Sequence, residues 1–294
     1  MRIVLTVILF LSLLSSCAFN KLFLYPYELD TDESFSSYMP DVKDTLTLTF
    51  STDKQPIIKN SQDSIAKVNY NLNSVSFPNS NGDSLYAWFF EPKENYNGTT
   101  IYFLHGNAAN LVYHLGLIVP FVNRGYKVFA IDYSGFGFSQ GKSTRKNVII
   151  DANDGLNYLL SRDDIQHDNI LIYGQSLGGH LAASIAADNQ GNIDGLIVEG
   201  AFSSHKSVAN DLIPILGWLF VREMYSAKKN IQSYTKPTLV IHSIEDNTVS
   251  YRHGEKLFET AGGPKQFYSI KKKHIRGPIY YADSITFKMN QLFK

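Results

Sequence analysis

The sequence predicts an α/β protein: one mostly parallel sheet, helices on both faces, an antiparallel hairpin at its N-terminal end and a small lid. Three observations carry this. Six short apolar runs, 101–104, 128–131, 170–173, 196–198, 238–241 and 266–270, lack the polar alternation of half-exposed strands, as strands buried on both faces do. Helical stretches near 109–124, 144–161, 177–189, 250–262 and 279–292 separate or follow these runs, which makes the connections βα crossovers. Ahead of them, 74–77 and 85–90 flank the turn-rich Asn79-Ser80-Asn81-Gly82-Asp83, the pattern of a hairpin. Thr45–Phe50 alternates as a further strand.

The segment 201–235 is too long for a simple crossover and is rich in Leu, Ile, Trp and Phe. It is expected to be a lid over an apolar site, with a buried packing helix as the alternative.

The chain of 294 residues balances 27 Lys+Arg against 27 Asp+Glu, with 44% hydrophobic residues. That is enough apolar material for one large core. Zero net charge argues against nucleic acid as the main partner, since phosphate binding requires a basic excess. A single Cys excludes an intrachain disulfide and cysteine-rich zinc sites. No H-E-x-x-H occurs, so neither metal nor cofactor is expected. Oligomeric state is not legible.

The N-terminus reads as an export signal. Residues 3–14 are largely apolar, shorter than the roughly 20 a membrane span needs and within the about 7–15 of a signal h-region. Leu14-Ser15-Ser16-Cys17 follows, and resembles the lipobox of bacterial lipoproteins. The resemblance implies a signal over 1–16 and a diacylated Cys17 as the first mature residue. An ordinary signal peptide or a signal anchor is the alternative. Ala18 rather than Asp after the Cys favours the outer membrane over the inner. Residues 17–44 are expected to be an acidic, solvated tether carrying a domain over 45–294. Leu22–Tyr25 could pack on that domain or touch lipid.

The run 170–173 leads into Gly174-Gln175-Ser176-Leu177-Gly178-Gly179 and then an Ala-rich helix. This is G-x-S-x-G in strand–turn–helix context, which makes Ser176 the candidate nucleophile. The turn is so tight that Gly174 and Gly178 cannot carry a Cβ. An oxyanion would be held by backbone N–H groups of Leu177, opening the helix, and of Asn107, in His105-Gly106-Asn107 after the run 101–104. His105 precedes the serine and is read as structural.

In this architecture the acid and then the base follow the nucleophile. His105, His114 and His167 come too early, and His180 lies in the first turn after the serine. His205 and His242 fall before or on the strand that carries the acid, and His253 sits in a surface-like helix start. His274, beyond the last apolar run, is the candidate base, and Asp246, after 238–241, the candidate acid. Glu199 is the runner-up acid and Glu245 the neighbour to be distinguished from Asp246.

Together, His105–Asn110, Asp132–Ser139, Gly174–Gly179, His242–Val249 and His274 resemble the α/β-hydrolase-fold serine hydrolases, and within them small-lid, membrane-associated esterases and acyl-protein thioesterases. The resemblance runs from about residue 75 to the end. It implies hydrolysis of a small-molecule or lipid-like acyl ester or thioester by Ser176, His274 and Asp246. Amide cleavage, or a non-catalytic envelope protein used for binding, is the alternative. Three positions and one loop depart from the pattern: Ser134 stands for the usual Arg, Ser243 for Gly and Ser250 for Pro, and Lys273-His274-Ile275-Arg276-Gly277 stands for Gly-His-Asn.

Overall fold

The computed structural model describes residues 23–39, 43–214 and 217–293. The expected signal segment over 1–16 and Cys17 lie outside the described residues. The strands in chain order are β1 (Tyr25–Pro26), β2 (Phe35–Met39), β3 (Asp44–Phe50), β4 (Pro56–Lys59), β5 (Tyr70–Pro78), β6 (Ser84–Pro92), β7 (Thr99–Leu104), β8 (Ala108–Ala109), β9 (Lys127–Asp132), β10 (Asn169–Gln175), β11 (Gly195–Glu199), β12 (Thr238–Ser243) and β13 (Lys265–Ile270). The helices are α1 (Leu111–Val122), α2 (Arg145–Leu160), α3 (Leu177–Asp188), α4 (His205–Leu212), α5 (Gly217–Phe220), α6 (Ala227–Ser233), α7 (Arg252–Thr260) and α8 (Gly277–Leu292).

Eight strands form the central sheet, in the order β13-β12-β11-β10-β7-β9-β6-β5. From β13 to β9 every pair is parallel; β6 pairs antiparallel with β9 and with its hairpin partner β5. The apolar runs are strands because each feeds two cores. In β10, Ile170 and Ile172 point to the face covered by α2, α3, α6 and α7, while Leu171 and Tyr173 point to the face covered by α1 and α8. In β7, Tyr102 and Leu104 take the first face, Ile101 and Phe103 the second. This period of two is the pleat itself, and it leaves no polar position to betray the strand in the sequence.

The expected solvated tether is corrected. Phe23 and Leu24 are buried, β1 pairs in parallel with β8 (Tyr25 opposite Ala108), and β2 pairs antiparallel with β3 (Phe35 opposite Leu48). A domain boundary at 44 therefore cuts through a sheet. The acidic side chains of Glu28, Asp30 and Asp32 do face solvent, and they set the composition. Leu29 among them and Phe35 just beyond pack against the core, which a charge count over the segment does not register.

The insertion over 201–235 forms three short helices, α4 to α6. Phe202, Ala209, Val221, Ala227 and Ile231 are buried, whereas Ile213, Trp218 and Met224 are exposed. It is in part a packing layer, and in part it leaves apolar side chains facing solvent.

Candidate active site

Ser176 stands between β10 and α3 with φ 54° and ψ −115°. A non-glycine residue occupies this left-handed region only under strain, and the flanking contacts impose it. A Cβ on Gly174 would overlap the Gly178 carbonyl, and one on Gly178 would overlap the Leu104 carbonyl. The sharp turn is locked further by Ser176 N–H donating to the Glu199 carbonyl at 2.9 Å. The serine is thereby lifted to the carboxyl rim of the sheet, where open α/β sheets carry their sites.

The loop 105–110 abuts this turn. His105 is fully buried, with Nδ1 2.7 Å from the Gly106 carbonyl and Nε2 3.4 Å from Asp132 Oδ1. Asp132 Oδ1 also accepts the Leu111 N–H at 2.9 Å. His105 is thus engaged by its own loop on one side and by Asp132 at the end of β9 on the other. The strap at the chain start pins the same loop. Tyr25 N–H donates to the Asn107 carbonyl at 2.8 Å, and Tyr27 N–H to the Ala109 carbonyl at 3.2 Å. The Asn107 N–H and the Leu177 N–H, which as the first of its helix has no intrahelical acceptor, belong to these two adjoining segments.

Asp246 and His274 meet directly: His274 Nδ1 lies 2.6 Å from Asp246 Oδ2. The carboxylate's other oxygen accepts the N–H groups of Thr248 and Val249 at 2.8 and 2.9 Å. Burial alone would raise the Asp246 carboxyl. The hydrogen bonds from His242 and His274, the His274 charge and the Val249 N–H outweigh it and hold the group well below the usual carboxylate range. An ionised Asp246 fixes the proton of His274 on Nδ1. Nε2 is then the basic nitrogen, and it is buried with no hydrogen-bond partner among the described residues.

Ser176 Oγ does not hydrogen-bond to that nitrogen, yet the two groups share one neighbourhood. A Cβ on Gly200, next to the Glu199 that holds Ser176, would lie 3.0 Å from the His274 ring. A Cβ on Gly106 would lie 3.6 Å from Ser176 Cβ and 3.8 Å from Ile275 Cδ1.

The other candidates are engaged elsewhere. Glu199 is buried and accepts from Tyr173 Oη and Gln175 Nε2, both at 2.7 Å, and from Gly277 N–H at 2.7 Å; burial raises its carboxyl. Glu245 is exposed. His253 sits with Nε2 2.8 Å from Asp211 Oδ2 and Nδ1 3.0 Å from Ser203 Oγ, bracing the lid helix α4 against α7.

Two residues of the site escape sequence reasoning. Ser243 Oγ bonds the backbone of Lys272, accepting its N–H at 3.0 Å and donating to its carbonyl. It therefore ties the His274 loop to the end of β12. Ile275 has φ 49°, a left-handed conformation costly for a β-branched residue, and its side chain lies against the Gly106 and Gly200 positions. Both are visible in the sequence as departures from the common pattern, a hydroxyl and a branched side chain in place of Gly and Asn. Their partners come from distant segments and are not.

Residues 99–230 match the alpha/beta hydrolase fold family. The chain is 31% identical over 236 residues to the uncharacterized protein YfhR of Escherichia coli O157:H7, covering 76% of this chain and 82% of that one. Among solved structures it resembles the Pyrococcus furiosus esterase Pf2001 (TM-score 0.62, 18% identity, 76% of this chain and 91% of the other). Est1E of Butyrivibrio proteoclasticus, solved with ferulic acid bound, gives a TM-score of 0.63 at 18% identity over 74% of this chain and 98% of its own. At such identity the structural likeness speaks to fold alone. With the strand order, the strained elbow and the relatedness to YfhR taken together, this chain belongs to the alpha/beta hydrolase fold family.

Proposed function

We propose that the protein is a serine hydrolase that cleaves a carboxylic ester or thioester, held at the bacterial envelope by a lipid on Cys17. Ser176 Oγ attacks the acyl carbonyl as His274 Nε2 takes its proton. The Asn107 and Leu177 N–H groups stabilise the tetrahedral oxyanion. The imidazolium protonates the departing alcohol or thiol, leaving an acyl-Ser176, and water activated by the same nitrogen releases the acid and restores the serine. The observation that carries this reading is the His274–Asp246 hydrogen bond of 2.6 Å, which leaves the opposite ring nitrogen buried and unpartnered.

The exposed Ile213, Trp218 and Met224 of the lid favour a substrate with a hydrophobic acyl chain. Among the described residues no helix is long and apolar enough to cross a membrane, and acylation of Cys17 with more than one chain supplies stable anchoring. A fluorophosphonate probe is expected to label the native protein and not Ser176→Ala; an unlabelled native protein rejects the serine mechanism and favours a binding role. Cys17→Ser is expected to leave the membrane fraction; its retention there rejects the lipid anchor.

A further inference from the structure

Behind the elbow, the structure assembles a buried donor set that the proposed hydrolysis does not use. His180 comes from the first turn of α3, His205 opens α4, and Glu223 with Tyr225 lies on the lid's return to α6. One ligand atom from each of His180, His205 and Glu223 falls within 4.8 Å of the others, and both histidines are fully buried. His205 Nδ1 lies 3.2 Å from Glu223 Oε1 and 3.3 Å from the Tyr225 carbonyl, and His180 Nε2 lies 3.1 Å from that same carbonyl.

These separations have a physical meaning. Zinc bonds to nitrogen and oxygen of about 2.0–2.1 Å place tetrahedral donors about 3.3 Å apart. The protonation arithmetic points the same way. Both nitrogens of His180 face carbonyl oxygens, Nδ1 that of Phe202 at 2.9 Å and Nε2 that of Tyr225. A neutral imidazole has one N–H, so with His180 neutral one of these contacts sets two lone pairs against each other. A cation between Nε2 and the Tyr225 carbonyl removes the conflict. Nδ1–H donating to Phe202 is then the outer hydrogen bond that metal-ligating histidines ordinarily make. The Glu223 carboxylate is preset for such a role by the His205 and Lys206 N–H groups, at 3.0 and 3.2 Å.

We propose that His180 Nε2, His205 Nδ1, Glu223 Oε1 and the Tyr225 carbonyl form a structural zinc site that fastens the lid to the nucleophile-bearing helix. The site is closed, with four protein donors and no position for substrate, so its ligands are positioning residues. Its donors come from three separate stretches of chain and match no compact metal motif.

The test uses the full chain, and none of its readouts depends on hydrolysis. Zinc analysis of the purified protein is expected to give one ion per chain. Stripping with dipicolinate is expected to lower the melting temperature, and zinc to restore it. Cobalt in place of zinc is expected to give the intense visible bands of tetrahedral coordination. His205→Gln and Glu223→Gln are each expected to weaken zinc binding at least about tenfold. A stripped native protein that does not take up micromolar zinc, or one in which cobalt shows only weak octahedral bands, overturns the site. So does a nitrogen NMR spectrum showing His180 as an imidazolium in zinc-saturated protein. These last three measurements use the native protein, so they decide the question even where a substitution fails to fold.

Discussion

At the scale of single residues, the proposed chemistry depends on keeping one ring nitrogen basic and in place. Asp246 does the first by holding the proton on the far side of His274. Asp246→Asn preserves shape and removes the charge; kcat is expected to fall on the order of 10⁴, measured on any ester the native protein turns over. Ser243 does the second, through its bonds to Lys272. Ser243→Ala is expected to lower kcat about tenfold while KM moves little, since a displaced ring harms the reaction more than binding. Equal kinetics in the variant would show that the loop holds itself. The strained turn at Ser176, its glycines and the Asp246–His274 pair are legible from the sequence, because a tight turn and a directional chain order restrict residue types. Ser243 is not. Its hydroxyl matters only where the backbone of residue 272 returns to it, and no local pattern records that return.

At the scale of elements, the sheet is readable and the strap is not, for opposite reasons. Strands such as β7 and β10 serve two cores at once, so nearly every side chain is apolar and the run stands out. The strap buries Phe23 and Leu24 as a pair, and half-buries Leu29 and Phe35 within the acidic stretch. Phe23 packs on Phe202 and on the edge of His205, at ring-centroid distances of 6.4 and 5.3 Å, and the Arg145 guanidinium lies over its face at 5.6 Å. Phe23→Ala is expected to cost roughly 3 kcal/mol of stability in denaturant unfolding, as the truncation of a buried aromatic generally does. A loss within about 0.5 kcal/mol, the ordinary surface value, would mean the strap is not docked. The lid insertion stands out by its broken rhythm, yet its division into buried and exposed faces follows from contacts with α3 and the strap, which lie outside its own sequence.

At the scale of the whole molecule, burial of histidines shapes the response to acid. Burial, aided by Arg252, pushes His253 down to about 4, and burial with His105 nearby pushes His114 down to about 3. Both stay neutral in the fold, while the unfolded chain takes up protons near pH 6.5. Below that value the unfolded state binds more protons, so stability is complete above about pH 6.5 and declines as pH falls. Asp246, depressed in the fold, adds a second loss below about pH 4, where its unfolded form becomes protonated. The melting temperature is expected to be level from about pH 7 to 8 and to drop steadily from about 6.5 to 5. His253→Gln is expected to flatten part of that slope, and an unchanged slope would place the acid sensitivity elsewhere.

The pairing of Tyr25 and Tyr27 with Asn107 and Ala109 bears on how this protein should be handled. On the proposed anchoring, anyone trimming the expected leader to free the domain would be tempted to cut through the whole acidic stretch and start near Thr45. That shortened version would lack the backbone partner of the loop proposed to hold the oxyanion. A cut just ahead of Phe23 keeps that partner, and comparing the two products would separate what the front of the chain does for delivery from what it does for turnover.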